Sequence, residues 1–260
     1  MIRYDLQTLE PYQGFIAIDE NGDYSTHFTP VYDPLISSFL TMRQKLNHSP
    51  PISPLLRYSQ SLRKVLVNLP FAPNLSKPEY IPTRQLNLLQ CLRLHFPLHR
   101  LLISDFASLP DTIPGYNSPV VQTRYQNSMI PCSTLLVGQG YFDIFFPTNF
   151  ERLRDMYEFI LSQPPRSESL LSSTLPTPRV SPMAGSASPL ALGAEFFSSF
   201  TRRSPLDGVR SASGLPVGEH KSSVYSHAEF LSTYASIEKT RVQSGENPML
   251  DLYKNVKFLF

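Results

Sequence analysis

The sequence predicts an α/β domain built on an open sheet with a loop-lined crevice, and three observations carry that reading. Leu101-Leu-Ile-Ser-Asp105-Phe is a short apolar run ending in a carboxylate, and it spills into a Pro/Gly-rich loop, Ala-Ser-Leu-Pro-Asp-Thr-Ile-Pro-Gly-Tyr-Asn-Ser-Pro. Such a run reads as a buried strand that delivers a polar side chain to the sheet edge, where ligands of open α/β sheets bind. A helical pattern immediately precedes the run, and β-prone segments follow it. A helix, a tight connection and an apolar strand make the second half of a βαβ unit.

Asn21-Gly22 lies between the apolar run at 14–18 and the β-prone run at 24–28, which predicts a hairpin whose turn residues both accept positive φ. Its acidic residues lack the ligand spacing of a calcium loop. Asp33-Pro34 predicts an N-cap with Pro at the first helical position, opening a helix over 35–43. Three prolines make 47–54 a loop, and 55–69 has apolar spacing that fits a helix or a mixed segment. Pro82-Thr83 opens a further helix, with Leu86, Leu89, Leu92, Leu94 and Phe96 on its apolar face before Pro97 ends it. The strand at 99–106 follows.

His95 and His99 have the spacing of a helical metal pair, but Pro97 breaks the helix between them, so they read as a helix-end and a strand-start histidine. Segments 120–125, 133–137 and 141–146 are β-prone, and Asn149 caps an amphipathic helix running to 161. Residues 162–226 hold 16 Ser and 8 Pro. A stretch of that composition cannot bury enough surface to offset its ordering entropy, so it reads as a disordered insertion. Within it, 190–200 could form a transient helix, and Ser204-Pro205 beside two arginines could take a phosphate. Ser226 caps a helix over 227–238, and 256–260 is a final strand.

Composition excludes several function classes. The net charge is +2, spread over scattered Lys and Arg, which gives no basic run for nucleic acid. Two distant cysteines, Cys91 and Cys132, form neither a disulfide framework nor a zinc motif and fit a reducing compartment. No apolar run is long enough to span a bilayer, and the first residues read as the middle of a domain rather than a signal or transit peptide. Gly138-Gln-Gly140 lacks the helix that a dinucleotide or S-adenosylmethionine loop requires after it, and reads as a turn. No nucleophile elbow, phosphate loop or zincin motif occurs. Asp105 and Asp111 are the carboxylates nearest the expected crevice. Asp111 also suits a turn after Pro110, and Arg124 and Tyr125 could line the loop or lie on a solvated face.

Four phrases carry a resemblance. Leu-Ile-Ser-Asp-Phe at 102–106, Leu-Pro-Asp-Thr-Ile-Pro-Gly-Tyr-Asn-Ser-Pro-Val-Val-Gln-Thr-Arg-Tyr at 109–125, Gly-Tyr-Phe-Asp-Ile-Phe-Phe-Pro-Thr-Asn-Phe at 140–150 and Gly-Glu-Asn-Pro-Met-Leu-Asp-Leu-Tyr-Lys-Asn at 245–255 are similar to the fungal branch of the MidA-like family. Those are S-adenosyl-L-methionine (SAM)-dependent protein arginine methyltransferases associated with mitochondrial complex I assembly. The resemblance covers 1–161 and 225–260. It implies the C-terminal part of a Rossmann-like class I methyltransferase fold, with an added hairpin and a long insertion. It also implies a mitochondrial setting and a complex I subunit as protein substrate.

The family's Gly-rich SAM loop and its acidic, His-containing motif lie upstream of the segment matched by Ile2-Arg-Tyr-Asp5, so the expectation is a fragment without the cofactor loop, inactive alone. The resemblance implies substrate-side or structural roles for Asp105, Gln122, Arg124 and Tyr125, with no cofactor contact and no metal in this chain. Arginine methylation needs a carboxylate that pairs with the guanidinium and a methyl donor aligned for in-line attack. The competing expectation is a binding module that keeps the partner-recognition surface without catalysis. If central strands are missing, the strand at 101–106 should present an unpaired apolar edge.

Overall fold

The computed structural model describes residues 1–96, 99–163 and 222–260. The chain opens with an antiparallel meander of β1 (Ile2–Tyr4), β2 (Pro11–Ile18) and β3 (Tyr24–Pro30). The predicted hairpin is present, with Ile18 opposite Tyr24 as its last pair. Its turn differs from the expected two-residue form, because the Asp19 carboxylate accepts from the N–H groups of Asn21 and Asp23 at 2.9 and 2.8 Å. That local turn leaves only Gly22 at positive φ, +85°.

Gln13 joins the meander to the first helix: its side-chain oxygen accepts from the N–H groups of Tyr32 and Asp33 at 2.9 Å each. Asp33 then caps α1 (Pro34–Lys45) by accepting from Leu35 N at 2.8 Å. The 55–69 segment resolves into two short helices, α2 (Pro54–Tyr58) and α3 (Gln60–Val67). α4 (Thr83–His95) leads to β4 (Ile103–Phe106). The predicted face of α4 is only partly used. Leu86 and Leu89 are buried and Leu92 packs on the core, whereas Leu94 and Phe96 are exposed.

β5 (Val120–Tyr125) pairs with β6 (Ser128–Cys132) on one side and β7 (Asp143–Phe145) on the other. The expected strand at 133–137 is absent, since β6 comes earlier. Gln126 and Asn127 both take positive φ, 45° and 64°, and turn the chain directly into β6. α5 (Phe150–Ser162) is capped by Asn149, whose side chain accepts from Arg152 N at 2.9 Å. β8 (Val224–Ser226), α6 (His227–Tyr234), a 3-10 turn at Ile237–Thr240, α7 (Pro248–Asp251) and β9 (Val256–Leu259) complete the described chain. α6 is shorter than expected and starts with a full capping box between Ser226 and Glu229.

The strands form three three-stranded sheets, β1-β2-β3, β4-β9-β8 and β6-β5-β7, and every pairing between named strands is antiparallel. The strand expected over 99–106 shortens to Ile103–Phe106 and is mostly exposed, so it is an edge rather than the buried member of a βαβ unit. β9 covers one side of it. On the other, Phe106 O accepts from Thr148 N at 2.8 Å, and no strand pairs there among the described residues. The margins of the Ser/Pro-rich stretch are structured: Ser162 closes α5, and β8 contains Val224 and Tyr225, both fully buried. The 190–200 helix and the Ser204-Pro205 site lie outside the described residues.

The main core gathers Phe39 and Met42 of α1, Leu86 and Leu89 of α4, one face of α5, Val224 and Leu259. A second cluster sits under the meander around Ile2, Tyr4, Ile36 and Ile52. A third, around Tyr80, Ile113 and Val121, backs the β6-β5-β7 sheet. No described helix is long and apolar enough to cross a membrane.

Candidate functional site

A cleft of about 680 Å³ opens where α1, the start of α4, the end of β4 and the start of α5 converge. Its apolar wall comes from Phe39, Met42 and Met156, and its polar groups from Arg43, Glu79, Asp105, Thr148 and Arg152.

Glu79 sits at the centre of the local structure. Its backbone pairs with Ile2, each N–H donating to the other's carbonyl at 2.8 Å, and it bridges Tyr116 on the opposite side. The loop after β4 is thereby pinned: Tyr116 N donates to Pro78 O at 2.8 Å and Tyr80 N to Tyr116 O at 3.0 Å. Gly115, at φ +148°, permits that approach, since a Cβ there would meet Pro78 O at 2.8 Å. The Pro-Gly-Tyr-Asn loop is therefore a close-packed buttress for Glu79.

The Glu79 side chain is 3% exposed and its charge is matched. Arg43 Nη1 donates to Oε1 and Oε2 at 3.0 and 2.9 Å, and Arg43 Nη2 donates to the Tyr4 hydroxyl. The Tyr4 hydroxyl in turn donates to Glu79 Oε2 at 3.0 Å, and Arg152 Nη1 lies 3.8 Å from Oε1. Burial, with the Glu79 charge behind it, pushes the Tyr4 hydroxyl well above its ordinary pKa, so it stays a donor. Burial works against the Arg43 charge, but Glu79 and Tyr4 outweigh it and hold the guanidinium above its ordinary pKa. Glu79 is consequently committed to an internal ion pair.

Asp105 is the open carboxylate of the cleft. Its Oδ1 accepts from the adjacent Phe106 N at 2.7 Å and its Oδ2 from the Thr148 hydroxyl at 2.8 Å, while the side chain remains exposed. These two donors fix its orientation and leave lone pairs for a ligand. Arg84 and Arg152 also line the cleft, the latter weakly engaged with Glu79 at 3.8 Å and Ser49 O at 3.5 Å. The arrangement suits a ligand with a cationic group for Asp105 and oxygens for the arginines.

The structure separates the sequence candidates. Asp105 reaches the cleft, whereas Gln122, Arg124 and Tyr125 lie along β5 in the third sheet and contribute nothing to the cleft lining. Arg124 donates weakly to Asn127 at 3.4 Å, and Tyr125 is 61% exposed. Asp111 takes a left-handed turn conformation, φ 53°, on the surface. His95 ends α4 on the surface, and His99 shares a 3.1 Å hydrogen bond with the Tyr157 hydroxyl. Sequence reasoning missed Glu79. The available signal was its isolation: it is the only acid between Asp33 and Asp105, a span with nine Lys and Arg.

Residues 37–163 match the model of a family described as "Putative S-adenosyl-L-methionine-dependent methyltransferase". Neither the curated proteins nor the solved structures give a significant match. The Gly-x-Gly segment among the described residues does not fit a cofactor loop. Gly138-Gln-Gly140 precedes β7 rather than a helix, and a Cβ on Gly140 would meet open space, so no backbone cradle closes there. The buried polar cluster of the cleft is already filled by the Arg43–Glu79 pair. The stretch that supplies most of the cleft lining, residues 37–163, is thus similar to a family described as putatively S-adenosyl-L-methionine-dependent.

Proposed function

We propose that this chain supplies the substrate side of a SAM-dependent protein arginine methyltransferase, in which Asp105 holds the guanidinium of a substrate arginine. The observation that carries the reading is that the open carboxylate lies in a cleft within the methyltransferase-like stretch. A carboxylate fixed by Phe106 N and the Thr148 hydroxyl loses little freedom on accepting paired N–H donors from a guanidinium, which is the strong form of this contact. Glu79 keeps the cleft floor rigid through its internal pair. On this reading the residues that bind the methyl donor lie outside those described. The resemblance of the four sequence phrases supplies the biological setting: a mitochondrial protein acting on a complex I subunit during assembly.

Calorimetry with an arginine-containing peptide tests the substrate side directly. Micromolar to millimolar binding should weaken about tenfold in Asp105→Asn, consistent with loss of one charge-assisted pair. Equal binding by the variant, or by the same peptide with arginine replaced by glutamine, would remove Asp105 from the role. A second reading, a partner-binding module without catalysis, draws on the absence of a glycine cradle among the described residues. Titrating SAM into the 260-residue chain tests the second reading: stoichiometric binding would refute a module without catalytic equipment, and no binding would favour it.

A further inference from the structure

α2 and α3 are held to the meander by Leu56, which packs on the Ile2–Tyr4 cluster, and by Arg63, which donates to Gln7 O at 3.2 Å, yet neither helix has a fully buried residue. On α3 and its extension, Leu62, Val65, Leu66 and Leu69 recur at helical spacing and share one face. Leu62, Val65 and Leu69 are 41%, 60% and 52% exposed, and Leu55 and Tyr58 of α2 are 71% and 82% exposed. Phe71, just beyond α3, is fully exposed and held at φ 64°, a conformation that an aromatic residue rarely adopts. None of these apolar groups lines the cleft, and together they make the exposed apolar face of the α2–α3 ridge.

Charge names the occupant. From Pro34 to Pro78 the sequence contains Arg43, Lys45, Arg57, Arg63, Lys64 and Lys77 and not one Asp or Glu. Arg43 is consumed by Glu79, and Arg63 donates to the carbonyls of Gln7, Leu56 and Arg57. Arg57, whose guanidinium lies 5.5 Å from the Tyr58 ring centroid, and Lys64 have no acidic partner among the described residues. A helix with protruding Leu, Val and aromatic groups and an acid-free basic flank matches an anionic bilayer surface, which needs no complementary concavity.

We propose that the α2–α3 ridge docks this protein on an anionic lipid surface, with Leu62, Val65, Leu69 and Phe71 inserted at the headgroup boundary and Arg57 and Lys64 facing the lipid charge. This inference stands apart from the cleft and from Asp105.

Co-sedimentation of the full chain with phosphatidylcholine vesicles, with and without phosphatidylserine, tests it. The chain should partition onto the phosphatidylserine vesicles, should not bind phosphatidylcholine alone, and should be released by salt. The double variant Arg57→Gln/Lys64→Gln should lose roughly 25-fold in partitioning, at about fivefold per surface charge. Phe71→Ser/Leu69→Ser should lose vesicle binding while its circular dichroism and thermal transition stay those of the parent, since both positions are exposed. No retention on phosphatidylserine vesicles would overturn the proposal, as would equal retention by either variant or equal binding to neutral vesicles. A dimer that Phe71→Ser/Leu69→Ser abolishes, or capture of an acidic helical peptide, each without vesicle binding, would overturn it as well.

Discussion

Around α5, Phe150 and Leu153 are fully buried and Met156, Tyr157 and Ile160 nearly so, while in the β6-β5-β7 sheet Met129, Ile130, Ile144 and Phe145 are all more than 40% exposed. The first region packs one face of a helix against α1, α4, β8 and β9. The second is backed by a smaller cluster of Val121, Tyr80 and Ile113, with only partly buried groups such as Leu135, Val137 and Phe142 packed against it. Stability is therefore concentrated behind the cleft, and the sheet that carries Gln122, Arg124 and Tyr125 is a lightly supported platform. A cleft wall built on the first region can hold Asp105 and Thr148 in a fixed relation, which the second could not do for its own side chains.

The largest expected effect comes from the cleft floor. Glu79→Ala leaves Arg43 buried without its carboxylate and should cost about 3–5 kcal/mol in urea unfolding; a loss below about 1 kcal/mol would mean the pair is solvated and the floor soft. Next, Leu153→Ala in the fully buried face of α5 should cost about 2–5 kcal/mol.

Burial pushes the Tyr157 hydroxyl up to about 12 from its ordinary 10.0. Its folded pKa is raised, so the stability it contributes is fully present below pH 10.0 and is lost as the pH climbs through about 12. A late phase in the phenolate absorbance titration, removed by Tyr157→Phe, should report it, and an unchanged titration curve in that variant would count against this burial. The smallest effect belongs to the platform: Ile130→Ala should stay within about 0.5 kcal/mol of the parent. If Ile130→Ala instead matches Leu153→Ala, the contrast between the two regions fails. Hydrogen exchange provides an independent check, with slower amides expected in α5 than in β5 and β6.

Local signals in the sequence were strong wherever one residue decides the geometry. Asp33, Asn149 and Ser226 cap the helices they were expected to cap, because an N-cap contact spans only two or three residues. The hairpin at Asn21-Gly22 was legible for the same reason. Strand partners were not: β4 pairs with β9, a segment more than a hundred residues away, and nothing in Leu-Ile-Ser-Asp-Phe distinguishes an antiparallel edge from a buried parallel strand. Gln126-Asn127 carries a weaker turn signature than Asn-Gly, so the sequence pattern points to 133–137 rather than to β6. For the site, Asp105 was legible as a strand-end carboxylate. Glu79 was not, since its partners Tyr4 and Arg43 lie 75 and 36 residues away and no local pattern encodes them.

The unpaired side of β4 sharpens one more expectation. With Ser104, Asp105 and Phe106 exposed and only Thr148 N covering the Phe106 carbonyl, the isolated chain should show concentration-dependent association through this edge.

The two margins of the 164–221 stretch are both tied to the same helical pair. Gln163 O accepts from Arg93 Nη2 of α4 at 2.5 Å, and Ser222 N donates to Glu158 Oε1 of α5 at 2.7 Å. Residues 222–260 are then held by strand pairing, with β9 lodged between β4 and β8. A backbone cleavage anywhere between these anchors would leave the two pieces joined. The protein is thus naturally suited to fragment complementation, in which residues 222–260, supplied separately, would restore β9, the one strand partner of β4 among the described residues.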